Sequence, residues 1–462
     1  MNTIQQIHNL IAELCSFIIN NCDEEFFVHY SCVSQKDIDR SKNVIKPYIP
    51  DLFDSHQDVH ILNDSEITEN LVNNLEKISH KLQSENDYSC IMNLTVMLDQ
   101  AMENILQEEF TQFLDLDYTT VLNMNRETTG VGLLPRCSCA WERTHRLSHC
   151  YNRMDNFLTY YLLMENSILG ELIDIHHFLK PSIFPNFGNN QSIKIAATPL
   201  RLEPDFTFRK RDNGKMYYYE IDYDEKTNNK NNSLIWSKII ESSKNNCDII
   251  VFPEGLSNSE TLSYVQAKIH NLSVDQQAQL PGLIILPSLC KENDNTATIL
   301  GRNGEILFQQ KKQNPVRWMM NGVPYLENIT PSRVINILHY EGIGRFAILI
   351  CKDFLTTKYM EQLMRCFKLT MIIVPSFSTG SYDFQQSFDI CAHDDCNVVW
   401  INSCAALEPG KESNFKNIGY VRKRISRFDD ESQKLCAMPI CQNAFKGKCD
   451  HSCIFFEEIK GV

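Results

Sequence analysis

The run Phe346-Ala-Ile-Leu-Ile350 has the length and residue types of a buried strand, and it ends abruptly at Cys351-Lys352-Asp353. The thiol is therefore expected where a strand gives way to a turn and a helix. A cysteine there is exposed, and the free N–H groups of the following helix favour thiolate, whereas a cysteine inside the run only packs. The chain holds 18 cysteines, so core packing is the default for any one of them. A chemical role for Cys351 thus depends on partners elsewhere in the chain.

Two such partners lie upstream, each at the end of its own apolar run. Cys247-Asp-Ile-Ile-Val-Phe-Pro253-Glu254 is a short strand closed by proline, which puts a carboxylate at the strand's exit. Gly304-Glu-Ile-Leu-Phe308-Gln-Gln-Lys311-Lys312 follows a glycine turn and ends in two lysines. Functional groups in an open α/β sheet gather where the carboxyl ends of the strands meet, so the three exits are expected to converge. Adjacent strand residues point to opposite faces, so only one lysine enters a site. Phe308, Gln310 and Lys312 share parity, which selects Lys312 over Lys311.

In this order and at about this spacing, Ile249-Ile-Val-Phe-Pro-Glu254, Gly304 to Lys312 and Ile348-Leu-Ile-Cys351-Lys-Asp353 resemble the nitrilase superfamily of carbon–nitrogen hydrolases. Ser192-Ile-Lys-Ile-Ala-Ala-Thr198 is similar to that family's opening strand. Met371-Ile-Ile-Val-Pro-Ser376 and Cys396-Asn-Val-Val-Trp-Ile-Asn402 are similar to the strands after the nucleophile. The resemblance covers residues ~190–425 and implies a four-layer α-β-β-α sandwich, a Glu254-Lys312-Cys351 triad and an assembly of at least a homodimer. It also matches Glu327 to a second glutamate of the family, with a solvated loop carboxylate as the alternative. Two departures bear on the pocket: no Pro-Glu follows Cys351, and Asp394-Asp395 stand where the family has Glu-Asn.

The chemistry requires these residue types. An amide carbonyl is a poor electrophile with a poor leaving group, so attack needs a strong nucleophile, a proton shuttle and a stabilised oxyanion. Cys351, Glu254 and Lys312 supply them in that order. No cofactor is required for this catalysis. Tyr325, Phe354 and Ser376 are candidate substrate-binding residues for a small amide, carbamoyl or nitrile compound.

The 462 residues exceed one ordinary core, and the reading divides them into a mainly α-helical extension at 1–190 and a hydrolase-like α/β domain at 191–462. The net charge of −14 and the absence of a long basic block argue against a nucleic-acid partner. Apolar runs are strand-sized, so no membrane span is expected. Without a basic and apolar leader in Met-Asn-Thr-Ile-Gln-Gln-Ile-His, a cytoplasmic location with reduced thiols is expected.

In the extension, Ile4, Ile7, Ile11 and Leu14 predict a helix capped by Asn2 or Thr3. Ile67, Leu71, Leu75, Ile78 and Leu82 predict another, capped by Asp64 or Ser65. Residues 88–114 and 155–179 read as two further helices, and Gln35 to His60 as loop and short elements. The extension is a candidate docking or regulatory module, and a catalytically silent scaffold acting through it is the rival to the enzyme. Asn213-Gly214 predicts a hairpin turn and the Asn/Lys-rich residues 226–232 a mobile loop.

Two cysteine clusters remain. Cys137, Cys139, His145, His149 and Cys150 offer zinc ligands, but Cys-x-Cys is tighter than a zinc knuckle. Cys436, Cys441, Cys449 and Cys453 could close a small structural zinc site, with unpaired thiols as the alternative.

Overall fold

A computed structural model describes residues 2–56, 58–115, 129–139, 153–185, 187, 192–200, 205–210, 217–222, 228–407, 416–424, 435–441, 443 and 452–460. The fold is mixed α/β. Its strands, in chain order, are β1 (Val131–Pro135), β2 (Tyr161–Glu165), β3 (Ile173–Phe178), β4 (Ser192–Ala197), β5 (Asp205–Lys210), β6 (Tyr217–Asp222) and β7 (Ile249–Val251). They continue as β8 (Leu283–Ile285), β9 (Leu289–Lys291), β10 (Asp294–Leu300), β11 (Ile306–Lys311), β12 (Arg317–Met320), β13 (Val323–Glu327) and β14 (Val334–Tyr340). The last six are β15 (Gly344–Ile348), β16 (Met371–Ser376), β17 (Asn397–Asn402), β18 (Asn417–Arg422), β19 (Leu435–Pro439) and β20 (Phe455–Lys460).

Two seven-stranded sheets dominate. One runs β11-β10-β8-β7-β4-β20 with β9 paired to β10, and the other runs β19-β18-β17-β16-β15-β14-β3. Alternation along the first sheet sorts its side chains to two faces. Ile195, Ile249, Ile285 and Ile299 meet Ile337, Phe346 and Ile348 of the second sheet in one core. Ala196, Ile250, Ile284 and Leu300 turn the other way, onto Ile235 and Ile239 of the helix Asn228–Lys244 and Val265 and Ile269 of the helix Thr261–His270. On the second sheet Trp400 stacks on Phe384 of the helix Tyr382–His393 at 4.9 Å between ring centroids. Phe388 reaches both Trp400 and Tyr420.

The N-terminal helices pack around their own core, which includes Ile7, Ile11, Leu75, Ile78 and Leu98. The ribbon β1-β2 touches both cores: Tyr161 and Leu163 face the helices, while Leu162 and Met164 face the sheets. Lys368, after the helix Thr357–Phe367, binds the Asp155 carboxylate at 2.7 Å, and Gln362 donates to the Ile168 carbonyl at 2.8 Å. β3 pairs in parallel with β14 over six residues, and His176 Nδ1 lies 2.7 Å from His339 Nε2 across that pair.

Several local expectations change. The stripe at Ile4 to Leu14 is a helix, Thr3–Asn21, capped by the Asn2 side chain. The next helix, Glu69–Glu85, is capped by Thr68 rather than Asp64 or Ser65, which form a short 3-10 turn. Residues 88–114 break at Met102 into Tyr88–Ala101 and Glu103–Asp115. No helix spans 155–179: β2 is buried on both faces, and a continuous apolar run lacks the alternation that marks a strand. Gln35–Ile45 is a helix, started by a Ser34–Asp37 capping box. The Asn-rich residues from 228 onward open the helix Asn228–Lys244 rather than a loop. β5 and β6 pair antiparallel, and the Asn213-Gly214 turn lies outside the described residues. Among the described residues no helix is long and apolar enough to cross a membrane.

Candidate active site

Three strand exits bring the chemistry together. β7 leads through Phe252-Pro253 to Glu254, β11 delivers Lys312, and β15 runs through Leu349-Ile350 to Cys351. Glu254 Oε1 accepts from Lys312 Nζ at 2.5 Å, and Glu327 Oε2 accepts from the same ammonium at 2.6 Å. The Cys351 thiol lies within electrostatic reach of the Glu254 carboxylate, and its sulfur is 4.0 Å from the Phe377 carbonyl. Lys311 points away to the surface, where it pairs with Asp294 at 2.5 Å.

Other groups hold the carboxylates in place. Asn295 Nδ2 donates to Glu254 Oε1 and Glu327 Oε1, each at 2.8 Å, while its buried Oδ1 has no hydrogen-bond partner among the described residues. The Phe377 N–H donates to Glu254 Oε2 at 2.9 Å and the Val316 N–H to Glu327 Oε2 at 3.0 Å. Asn295 stands on β10 with no motif to mark it. Its signal, a polar residue on an alternating strand, is common to many edge positions.

The electrostatics follow from this enclosure. Burial alone would push the Lys312 ammonium down, but Glu254 and Glu327 more than reverse it and hold the group well above the usual lysine range. Burial pushes the Glu254 carboxyl up, against the pull of Lys312. Burial also drives the Cys351 thiol well above the usual cysteine range, and Glu254 adds to this against Lys312. The expectation of an exposed, thiolate-favouring cysteine is therefore corrected. Cys351 is 3% exposed, and the helix after it, Lys352–Leu355, is a single turn with little dipole to offer. Burial therefore favours the neutral thiol at Cys351.

Cys351 adopts φ 48° and ψ −100°, a conformation that L residues rarely occupy. The Lys352 N–H opens the helix and so has no acceptor within it, which leaves a donor immediately after the sulfur. Asp353, 1% exposed, ties this turn to the lysine strand. It accepts from the Gln313 N–H at 3.1 Å and from the Asn314 N–H at 2.7 Å, and from Asn314 Nδ2 at 2.9 Å.

Burial pushes the Asp353 carboxyl up to about 7 from an ordinary 3.8, against these donors and Lys312. The folded protein then holds a proton that the unfolded chain releases between about pH 4 and pH 7. This group's contribution to stability is therefore expected to fall as pH rises through that window. Urea unfolding at about pH 5 and about pH 7.5 checks this, with a shallower pH dependence expected for Asp353→Asn than for wild type.

Two of the three pocket candidates meet the site through their backbone: the Phe354 N–H donates to the Cys351 carbonyl at 3.1 Å, and the Ser376 carbonyl accepts from the Glu254 N–H at 3.4 Å. Phe354 packs against Phe388 at 5.7 Å and Phe384 at 6.4 Å, and the Ser376 hydroxyl accepts from Trp400 Nε1 at 3.0 Å. Both sit in the layer between the second sheet and its helices. Tyr325 lies on β13 with its ring 5.5 Å from that of Tyr217. A cavity of about 320 Å³ instead borders the site through Glu327, Tyr219 and Cys290. Tyr219 and Cys290 went unmarked in the sequence, because each reaches the site from a strand with no motif.

Of the tail cysteines, Cys436 is on β19, Cys441 follows that strand, Cys453 precedes β20, and Cys449 lies outside the described residues. Among the described residues no three His, Cys, Asp or Glu side chains form a metal-holding group. In the earlier cluster, Cys137 donates to the Gly344 carbonyl at 3.0 Å and Cys139 to the Ile343 carbonyl at 3.5 Å. His145, His149 and Cys150 lie outside the described residues.

No protein-family model matches the chain, and no curated protein matches it. Solved structures of nitrilase-superfamily enzymes do match, over about half of the chain. A glutamine-dependent NAD+ synthetase from Acinetobacter baumannii, in complex with adenosine diphosphate, is 14% identical with a TM-score of 0.38; the match covers 58% of this chain and 45% of that one. The C. elegans NitFhit protein is 12% identical with a TM-score of 0.36, covering 58% of this chain and 61% of that one. A variant of the amidase from Nesterenkonia sp. AN1, carrying the acetamide moiety of fluoroacetamide on its active-site cysteine, is 13% identical with a TM-score of 0.36. That match covers 58% of this chain and 90% of that one. This chain thus spans less than two thirds of the first two. Likeness at this distance carries no chemical argument, and the reading below rests on the geometry around Cys351.

Proposed function

We propose that the chain is a cysteine-dependent hydrolase of a non-peptide carbon–nitrogen bond, with an amide, carbamoyl or nitrile compound as its small substrate. The supporting observation is one buried carboxylate, Glu254, that holds the Lys312 ammonium at 2.5 Å and acts electrostatically on the buried Cys351 thiol. For the fold, the reading is an α-β-β-α sandwich of the nitrilase type in residues 191–462, with 1–190 as its extension. Two seven-stranded sheets that share a core, with helices on their outer faces, support it, although β3, within 1–190, supplies the edge strand of the second sheet. The family resemblance supports a homodimer or larger assembly, and no cofactor enters the scheme.

The steps follow from the contacts. Glu254 takes the thiol proton as the sulfur attacks the carbonyl carbon, and the carbonyl electrons move onto oxygen. The Lys312 ammonium and the Lys352 N–H hold that oxyanion. Glu254 returns its proton to the departing nitrogen, leaving a thioester on Cys351. A water then gives a proton to Glu254 and attacks the thioester, and Glu254 passes that proton to the departing sulfur, so that the acid and the thiol are released. Glu327 keeps Lys312 charged and in place, and Asn295 Oδ1 offers an acceptor for a substrate N–H.

The test is a panel of small carboxamides incubated with and without hydroxylamine. Ammonia release, diverted to hydroxamate when hydroxylamine is present, is the expected result, since hydroxylamine intercepts the thioester. A panel yielding neither product, with a wild-type chain that folds, sinks the proposal and favours the silent scaffold.

A further inference from the structure

The catalytic groups proposed above are shut away from solvent. Glu254 and Lys312 are each 2% exposed and Cys351 is 3% exposed, so a substrate reaches the sulfur only when something above it moves. A cavity borders Glu327 and is lined as well by Tyr219 and Cys290, and Tyr219 lies within electrostatic reach of Glu254, Lys312 and Cys351. Tyr219 is 5% exposed and stands on β6, part of the four-stranded sheet β12-β13-β6-β5 that belongs to neither large sheet.

β6 pairs antiparallel with β5 over six positions. Among the described residues it pairs with β13 at two positions, Leu326 with Tyr218 and Glu327 with Tyr219, and Asn328 donates from its N–H to the Tyr219 carbonyl at 3.0 Å and from Nδ2 to Glu220 at 2.6 Å. The register therefore places Tyr219 directly beside Glu327, the carboxylate that grips Lys312. Two residues on, Ile221 Cδ1 would lie 3.1 Å from a Cβ added at Gly255, so β6 covers the turn after Glu254 as well. The Tyr219 ring rests edge-on against Trp318 at 5.5 Å, which fixes its outer side. Burial holds the phenol well above its usual range, with Glu327 adding to the effect, so the hydroxyl remains a neutral donor.

We infer that Tyr219 is the gate of this site: a substrate-contacting residue on a separate small sheet whose ring limits the size of the group attached to the amide nitrogen. The inference rests on the hydrolase reading and adds a substrate class to it. At about 320 Å³ the cavity is at the small end for ligand sites, which fits a primary or slenderly substituted carboxamide rather than a bulky secondary one.

Two alkylating amides test it: 2-chloroacetamide and its N-benzyl analogue. Each forms a sulfur–carbon bond at Cys351 as chloride leaves, and the thiol proton passes to Glu254. The rate of Cys351 labelling is read by peptide mass spectrometry, with thermal unfolding as the control for folding. Wild type is expected to label faster with the small reagent. Tyr219→Ala is expected to raise the N-benzyl rate relative to the small one by about tenfold, and Tyr219→Phe to leave the ratio near wild type. Tyr219→Leu, which keeps a buried apolar side chain but shortens it, serves in place of Tyr219→Ala if that variant does not fold.

Equal rates in wild type, or a ratio unmoved by the shortened side chains, overturn the gate while the hydroxylamine result still stands on its own. A shifted ratio without any hydroxamate from wild type keeps the gate and sinks the hydrolase reading. A Cys351 that takes neither reagent in any variant overturns both.

Discussion

Replacing Lys312 with methionine is expected to cost about 3–5 kcal/mol of stability and to abolish turnover. The ammonium is shared by two carboxylates, at 2.5 Å from Glu254 and 2.6 Å from Glu327, and all three groups are buried. Removing it leaves two like charges bridged by the Asn295 amide, with the Phe377 N–H on Glu254 and the Val316 N–H on Glu327. One of the pair then takes up a proton, so its folded pKa lies above that of the unfolded chain. The folded variant binds a proton that the unfolded chain has released, and its stability falls as pH rises through that window. Guanidinium unfolding at several pH values should therefore show the deficit shrinking in acid. Adding Glu327→Gln to Lys312→Met removes one of the two charges and should recover part of the loss, a clear departure from additivity. Deficits that simply add would mean that the three side chains are not coupled.

Cys351 separates activity from stability. Cys351→Ala is expected to lower amide turnover by about 10⁴- to 10⁶-fold, since the remaining groups have no nucleophile to activate. Cys351→Gly should be as inactive, yet more stable than the alanine variant by ~1 kcal/mol, because φ 48° with ψ −100° strains any residue bearing a Cβ. Ammonia release and thermal unfolding, measured on both variants, check the two halves of this expectation. Equal stability of the alanine and glycine variants would show that the turn carries no strain.

Much of this site was legible because each of its principal residues ends a strand. Glu254, Lys312 and Cys351 stand just past apolar runs, and strand parity together with the alignment to the family's lysine favoured Lys312, which is buried, over Lys311, which lies at the surface. What the sequence hid was environment. A thiol after a strand reads as exposed, but exposure depends on what packs around it from elsewhere in the chain, and Cys351 is buried, while β6, far away in sequence, covers the turn after Glu254. Asn295 and Tyr219 were missed for the same reason: both sit on strands whose pattern carries no sign of the distant groups they meet. Phe354 and Ser376 follow the right motifs, but their side chains turn to the helix side of the second sheet, where the aromatic layer takes them.

In the N-terminal part the helical stripes at Ile7 to Leu14 and Leu71 to Leu82 were plain, because one apolar face repeats over several turns. The helix Gln35–Ile45 was not, since it buries only Ser41 and Ile45 and draws its start from the Ser34–Asp37 box. The segment 155–179 misled for the opposite reason: apolar residues on both faces of β2 erase the period that tells strand from helix.

That two-sidedness of β2 has a thermodynamic meaning. With Tyr161 and Leu163 in one core and Leu162 and Met164 in the other, neither half can lose its order without stripping apolar cover from its neighbour. Heat should thus take the two halves apart in a single cooperative step, and damage among the first helices should be felt at the sulfur.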